Sequence, residues 1–140
     1  FVDLSRYIEE LVADMMASMG PEWTGELVLD LSPVSMPTDR AVTVGLVLTE
    51  LIINANKYAY DGAAGPLAIT LTEHRADLRL SVADQGKGKA AASKREGFGS
   101  RMMEALVGQL HGELEYADNR PGLRVTLRAP IQGMITTPKA

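Results

Sequence analysis

The sequence TDRAVTVGLVLTELIINANKYAYD, residues 38–61, is the longest stretch with helical spacing of apolar residues in this 140-residue chain. Pro37 blocks continuation of a helix on the upstream side, and Thr38 is a candidate N-cap. Asp39 adds a negative charge in the first turn, where the helix dipole favours it. We therefore predict one long helix over residues 38–61, around which the other elements are arranged.

Three polar side chains recur on one face of this predicted helix. At about 100° per residue, Glu50, Asn54 and Lys57 fall within roughly 60° of arc. On one side of them lies a broad apolar face, formed by Val44, Val47, Leu48, Leu51, Ala55 and Tyr58. On the other side lies an apolar border, formed by Leu46 and Ile53. A carboxylate, an amide and an ammonium group in this setting suit a hydrophilic ligand held against a core. A solvated helix face has the same pattern and is the commoner case for a helix taken alone.

The composition is that of a globular domain with an aliphatic core, since 46% of the residues are hydrophobic and only 5% aromatic. The net charge of −4 argues against nucleic-acid binding, which usually needs a basic surface. The absence of cysteine excludes disulfides and thiolate metal sites and fits a reducing compartment. No apolar run reaches the roughly 18 residues of a membrane span. We expect a cytoplasmic domain.

Hydrophobic periodicity predicts three helices and five strands. The helices are predicted over residues 3–19, 38–61 and 100–110, and the strands over residues 26–31, 67–73, 78–82, 113–117 and 123–127. Because hairpins join most of the strands, we predict an α+β fold. It is a two-layer α/β sandwich, with a mixed, mostly antiparallel sheet and three helices on one face. Residues 1–130 are expected to form the domain and residues 131–140 a C-terminal tail.

Two glycine-containing segments have the residue types that allow close approach to a ligand. Asp84-Gln85-Gly86-Lys87-Gly88 closes a predicted strand, where the aspartate can accept a hydrogen bond from an amino group. Gly97-Phe98-Gly99-Ser100 opens a predicted helix, whose N–H groups and dipole favour an anion. The second segment fits neither the Walker phosphate loop nor a dinucleotide fingerprint. Taken singly, each segment is also explained as an ordinary turn or loop-to-helix junction.

Taken in order, these segments resemble those of the GHKL ATPase superfamily. The resemblance covers about residues 1–130 and rests on ELIINANKYAYDG (50–62), DQGKG (84–88), a short basic loop and GFGS (97–100). The chain looks most like the catalytic ATP-binding domain of a bacterial sensor histidine kinase, which implies the Bergerat-type ATP-binding fold. Its short lid is similar to that of the second dimerisation class, related to the HWE kinases. Thr49 stands where HWE kinases have histidine, and their Trp-x-Glu motif is missing.

The resemblance implies roles for the polar face of the long helix. Asn54 matches the asparagine that coordinates Mg²⁺ bridging the ATP phosphates, and Lys57 matches a lysine that contacts the phosphates. Tyr58 matches the aromatic residue beside the nucleotide. Glu50 occupies the position of a water-activating glutamate in gyrase-like members; in a kinase it would polarise or orient groups around the metal, and its role stays open.

The resemblance also implies roles for the glycine segments. Asp84 matches the aspartate that accepts a hydrogen bond from the adenine amino group, and Gly86 and Gly88 flank the base. The second segment, Gly97, Phe98, Gly99 and Ser100, would contact the phosphates. Arg101, in the first turn of the following helix, would add a charged contact.

The implied activity is transfer of the γ-phosphoryl group of ATP, with Mg²⁺, to a histidine on an upstream dimerisation domain. That histidine would pass the group to the receiver domain of a response regulator. His74 and His111 match no phosphoacceptor motif, so we expect the acceptor domain to precede Phe1 and this fragment not to autophosphorylate. The full-length protein would be a homodimer, and this fragment would be a monomer. We expect no nucleic acid among its partners. Whether the parent protein is membrane-anchored stays open.

Two alternatives also stay open. An anti-sigma-factor serine kinase shares the ATPase fold, and Tyr58-Ala59-Tyr60 is similar to the end of its asparagine motif. A degenerate docking domain that binds no nucleotide is the second alternative, although the intact Asn54, Asp84 and glycines argue against it. The sequence upstream of Phe1 would distinguish a sensor kinase from an anti-sigma kinase, because only the sensor kinase needs a phosphoacceptor hairpin there. Calorimetry with Mg²⁺-ATP would distinguish either kinase from a degenerate domain, which would give no heat of binding.

Overall fold

The computed structural model describes residues 1–20, 27–60, 65–86 and 101–132. The chain order there is β1 (Val2–Asp3), α1 (Leu4–Met19), β2 (Leu27–Leu31), β3 (Ser35–Met36), α2 (Thr38–Ala59), β4 (Leu67–His74), β5 (Asp77–Asp84), α3 (Arg101–Gln109), β6 (Glu113–Asp118) and β7 (Leu123–Pro130). All three predicted helices and all five predicted strands are confirmed, although α2 ends at Ala59, two residues before its predicted end. The sequence did not predict the short pair β1–β3, whose two-residue strands are too short to show an alternating pattern.

The main sheet has the strand order β2-β4-β5-β7-β6. Strand β2 pairs with β4 in parallel, and the other neighbours are antiparallel. The predicted mixed, mostly antiparallel sheet is therefore confirmed. Its register places Asp84, the last residue of β5, opposite Leu67, the first residue of β4.

One face of this sheet is buried against the helices, as the alternation predicts. In α1 the buried residues follow helical spacing at Leu4, Ile8, Val12 and Met16. The predicted apolar face of α2 is buried at Val44, Val47, Leu48, Leu51 and Ala55. These helices share one hydrophobic core with residues of α3 and with alternating residues of the central strands. The predicted two-layer α/β sandwich is confirmed.

The start of α2 differs from its prediction. Pro37, not Thr38, occupies the N-cap position, and no side chain caps the helix there. The carbonyl of Pro37 already accepts the first intrahelical hydrogen bond, from the Ala41 N–H at 3.0 Å. Thr38 thus lies inside the first turn, where its hydroxyl cannot act as an N-cap, and that prediction is wrong.

Arg40 joins three distant parts of the chain. Its guanidinium donates hydrogen bonds to the backbone carbonyls of Leu110 at 2.9 Å, Ile131 at 3.1 Å and Pro130. Burial lowers the pKa of this guanidinium below its ordinary value, and the neighbouring Asp39 opposes that change. Ile131, which is predicted to belong to the C-terminal tail, is buried in the core. Arg40 therefore fixes the end of the sheet to the first turn of α2.

We expect Arg40→Met to lower the free energy of unfolding by about 2 kcal/mol, because three carbonyls lose a charged donor. Arg40→Lys should recover only part of this, since an ammonium group cannot reproduce the planar fork of donors. Urea unfolding measures both, with the exposed Arg6→Met in α1 as the matched control. A loss no larger than that of Arg6→Met would contradict the role of Arg40.

None of the helices in the described ranges is both long enough and apolar enough to span a membrane.

Candidate functional site

Asp84 is the one buried charged side chain among the described residues, with 3% of its surface exposed. Its Oδ1 accepts hydrogen bonds from the backbone N–H groups of Gly86 at 3.0 Å and Leu123 at 3.1 Å. Among the residues that the structure describes, no donor meets Oδ2. The first oxygen thus holds the side chain in place, and the second keeps its capacity to accept a hydrogen bond.

The turn between β6 and β7 packs directly on the end of β5. The side-chain amide of Asn119 donates to the backbone carbonyl of Asp84 at 2.7 Å. Gly122 has a φ of +109°, and a Cβ atom there would overlap the Asp84 carbonyl oxygen and lie 2.6 Å from its carbonyl carbon. Only glycine therefore fits at position 122, both for its backbone conformation and for the space available.

The loop after Asp84 lies against the last turn of α2. A Cβ atom on Gly86 would lie 2.5 Å from the Cβ atom of Ala59, so the two backbones approach too closely for any side chain. The Gln85 N–H also donates to the phenol oxygen of Tyr60 at 2.7 Å. The end of α2 and the end of β5 are thereby held together.

A small pocket, partly open to solvent, lies between these two elements. It is lined by Leu51, Asn54 and Ala55 of α2 and by residues of the central strands: Val82, Asp84, Leu123 and Val125. Asn54 is half-buried, and its Nδ2 atom is buried without a hydrogen-bond partner among the described residues. Buried amides are normally satisfied, so this orphaned donor makes the pocket a candidate ligand site.

The structure thus brings together two of the predicted site residues, Asn54 and Asp84, at one pocket. Glu50 and Lys57 lie one turn away on either side of Asn54 in α2, outside the lining of this pocket. Glu50 is half-buried, and Lys57 is exposed. Arg101 is the exposed first residue of α3, at the predicted helix start.

Other predicted residues lie outside the part of the chain that the structure describes. They are Gly88, Gly97, Phe98, Gly99 and Ser100, together with the side chain of Tyr58.

The apolar border of α2, formed by Leu46 and Ile53, is more exposed than the buried apolar face on the other side of the polar residues. These two side chains are 49% and 44% exposed, so the polar face of α2 has a core on one side and solvent on the other.

Sequence reasoning missed the residues that hold Asp84 in place. Asn119 and Gly122 lie between two predicted strands and have no predicted role, and Tyr60 appears only in the resemblance to an anti-sigma kinase motif. The turn composition is visible in the sequence, but the contact with Asp84 spans more than thirty positions, as in the Asn119–Asp84 separation of 35 residues. Local patterns carry no signal for such a contact.

Comparison with known proteins gives a family for this fold. The model of the histidine kinase-like ATPase domain family matches residues 28–129. The sensor histidine kinase PdtaS of Mycobacterium tuberculosis is 33% identical over 103 residues, which cover 69% of this chain and 21% of PdtaS. The chain therefore spans about a fifth of the length of that relative.

Solved structures of sensor kinases have the same fold. The blue-light activated histidine kinase EL346 of Erythrobacter litoralis superposes with a TM-score of 0.76 at 24% identity, covering 93% of this chain and 42% of that one. The mycobacterial sensor histidine kinase MprB superposes with a TM-score of 0.70 at 19% identity, covering 95% and 97%. The family model matches most of the sequence, and the predicted resemblance is confirmed at this level. The chain belongs to the histidine kinase-like ATPase domain family, together with the catalytic domains of sensor histidine kinases.

Proposed function

We propose that this domain binds Mg²⁺-ATP and supplies the γ-phosphoryl group for phosphorylation of a histidine in a sensor kinase. The observation that carries the proposal is the pocket between α2 and β5. There a buried carboxylate with one uncommitted oxygen and an amide with an orphaned N–H line the same space.

Asp84 would bind the adenine base. Its Oδ2 would accept a hydrogen bond from the exocyclic amino group, while Oδ1 stays bound to the Gly86 and Leu123 N–H groups. The apolar lining around it, from Val82 and Val125, suits the flat base. Gly86, and Gly88 by the family resemblance, would let the backbone lie close to the base. Tyr58 would lie beside the nucleotide.

Asn54 would hold the metal through its amide oxygen. The residues present fit this role, because Mg²⁺ prefers oxygen ligands and usually keeps several waters, so a single protein ligand beside phosphate oxygens suffices. The orphaned Nδ2 of the same amide could then donate to a bound phosphate oxygen or water. When bound, Mg²⁺ neutralises negative charge on the phosphates.

Positive charge near the phosphates would come from Lys57 and from Arg101 at the start of α3. By the family resemblance, backbone N–H groups of Gly97, Phe98, Gly99 and Ser100 would contact the phosphates. Phosphoryl transfer depends mainly on positioning and charge stabilisation, which these groups would supply. Glu50, one turn before Asn54, would orient groups around the metal.

In the proposed reaction a histidine nitrogen attacks the γ-phosphorus, and a phosphorus–nitrogen bond forms. The bond from the γ-phosphorus to the β–γ bridging oxygen breaks, and ADP leaves with its electron pair. The acceptor histidine would lie on a dimerisation domain upstream of this chain, and an aspartate in a response-regulator receiver domain would take the group next. Residues 1–130 would be the catalytic part of a homodimeric kinase with its ATP site in the cytoplasm. The named relatives are sensor kinases, which favours this interpretation over an anti-sigma serine kinase.

Isothermal titration calorimetry with Mg²⁺-ATP tests the proposal directly. We expect binding of ATP and much weaker binding of GTP, since the 6-position of guanine carries a carbonyl oxygen that would face the Asp84 carboxylate. No heat at millimolar Mg²⁺-ATP, from a chain whose folding is verified by circular dichroism, would refute the proposed function.

The variant Asn54→Ala tests whether Asn54 acts in ligand binding and not in folding. We expect its free energy of unfolding to be unchanged or raised by up to about 1 kcal/mol, because a buried donor without a partner is removed. The affinity for Mg²⁺-ATP should fall by about tenfold or more, since the proposed metal ligand is lost. The control is ATP in EDTA, where the variant should lose less affinity relative to the wild type than it does with Mg²⁺, because the metal contact is absent from both proteins. An equal loss with and without Mg²⁺ would contradict the metal-binding role.

A further inference from the structure

Tyr60 follows the last residue of α2 and contacts both chain segments that meet there. Its phenol donates a hydrogen bond to the Pro66 carbonyl at 2.6 Å and accepts one from the Gln85 N–H at 2.7 Å. Its ring also lies on Gly65, where a Cβ atom would come within 2.5 Å of the ring. One side chain thus joins the end of α2, the segment before β4 and the loop after β5.

The contacts of Tyr60 lie next to the pocket that Asn54 and Asp84 line. Gln85 is the residue immediately after Asp84, and Asn54 lies on the helix that ends beside Tyr60. Gly86, next in the loop, packs on Ala59 and donates to Asp84 Oδ1 at 3.0 Å. Any shift of residues 85–86 away from α2 therefore moves the support of the Asp84 carboxylate.

The phenol has one proton, which it donates to Pro66, and its oxygen accepts the bond from Gln85. Phenylalanine would keep the ring on Gly65 and lose both hydrogen bonds. Gln85 is exposed, so water can replace the lost acceptor for its N–H group. Removing the hydroxyl should thus change stability little, while the loop loses its direct attachment to α2.

We infer that Tyr60 is a positioning residue for nucleotide binding: it holds the loop after β5 on α2 so that Asp84 and Asn54 keep the spacing the ligand needs. This inference rests on the proposed function and deepens it. The hydroxyl acts through the loop on the base end of the site, so its loss weakens recognition of the amino group of adenine more than it weakens contacts to the phosphates.

The experiment compares Tyr60→Phe with wild type for two ligands, Mg²⁺-ATP and the Mg²⁺ complex of purine riboside triphosphate, which lacks the 6-amino group. For the variant we expect the Kd of ATP to rise about tenfold, since a small misplacement of a binding group has a large effect. The Kd of the purine analogue should change by less than about twofold, because it makes no bond to the Asp84 carboxylate. Hydrogen exchange at the Gln85 amide should become faster in the variant.

Tyr7→Phe in α1 is the matched control, because it removes a phenol that makes no hydrogen bond among the described residues. It should leave both dissociation constants and their ratio unchanged. Equal weakening of both ligands by Tyr60→Phe, or unchanged binding of ATP, would overturn the positioning role. Failure of the wild type to bind ATP would instead refute the proposed function, so the two failures are distinguishable. Thermal unfolding of each variant verifies that folded protein is compared.

Discussion

Asp84→Asn is expected to weaken the binding of Mg²⁺-ATP by about 100-fold or more while leaving the free energy of unfolding within about 1 kcal/mol of wild type. The asparagine carbonyl oxygen can replace Oδ1 and still accept from the Gly86 and Leu123 N–H groups. The amide nitrogen then takes the place of Oδ2. A donor would face the amino group of adenine, where the wild type offers an acceptor.

Asp84→Ala should behave differently, because it removes both oxygens. The two backbone N–H groups would lose their shared acceptor in a buried place, which we expect to cost about 2–4 kcal/mol of unfolding free energy in addition to the loss of ATP binding. Calorimetry and urea unfolding on the same preparations separate the two effects. Asp77→Asn, the same change at the opposite end of β5, is the matched control and should alter neither quantity. A parallel loss of stability and affinity in Asp84→Asn would contradict the assignment of Oδ2 to the ligand.

Gly122→Ala is expected to be the most destabilising of these substitutions, by roughly 3–5 kcal/mol. Alanine is strained at a φ of +109°, and its Cβ atom would overlap the carbonyl of Asp84. Relief requires the β6–β7 turn to move away from the end of β5, which would break the bond from Asn119 to the Asp84 carbonyl. Affinity for ATP should therefore fall with stability.

The matched control is Gly108→Ala in α3, where nothing lies within 4 Å of the added Cβ atom. It should stabilise the domain by about 0.5–1 kcal/mol, because alanine is the better helix former. Urea unfolding measures both glycine variants. Since Gly122→Ala can fail to fold, Asn119→Ala supplies a milder test, with a smaller loss of stability and a measurable loss of ATP affinity. A Gly122→Ala domain as stable as wild type would contradict the packing described here.

The helices and strands were predictable because their periodic patterns are local and strong. The apolar face of α2 and the alternation in β4, β5 and β7 each repeat often enough to distinguish helix from strand. The pair β1–β3 was missed, since two residues per strand carry no period. The Thr38 cap was placed one residue late, because Pro37 itself takes the N-cap position and accepts the first helical hydrogen bond.

The sequence by itself determined the family and the two-layer fold, because these depend on periodicity and on the order of short motifs, and it predicted Asn54 and Asp84 as site residues. Only the tertiary structure decided that Asn54 and Asp84 line one pocket, and that one carboxylate oxygen is fixed while the other is available. It also revealed that Tyr60, Asn119 and Gly122 support Asp84 from α2 and from the β6–β7 turn. These contacts join residues far apart in the chain, and their existence depends on sheet register and close packing, which no local pattern specifies.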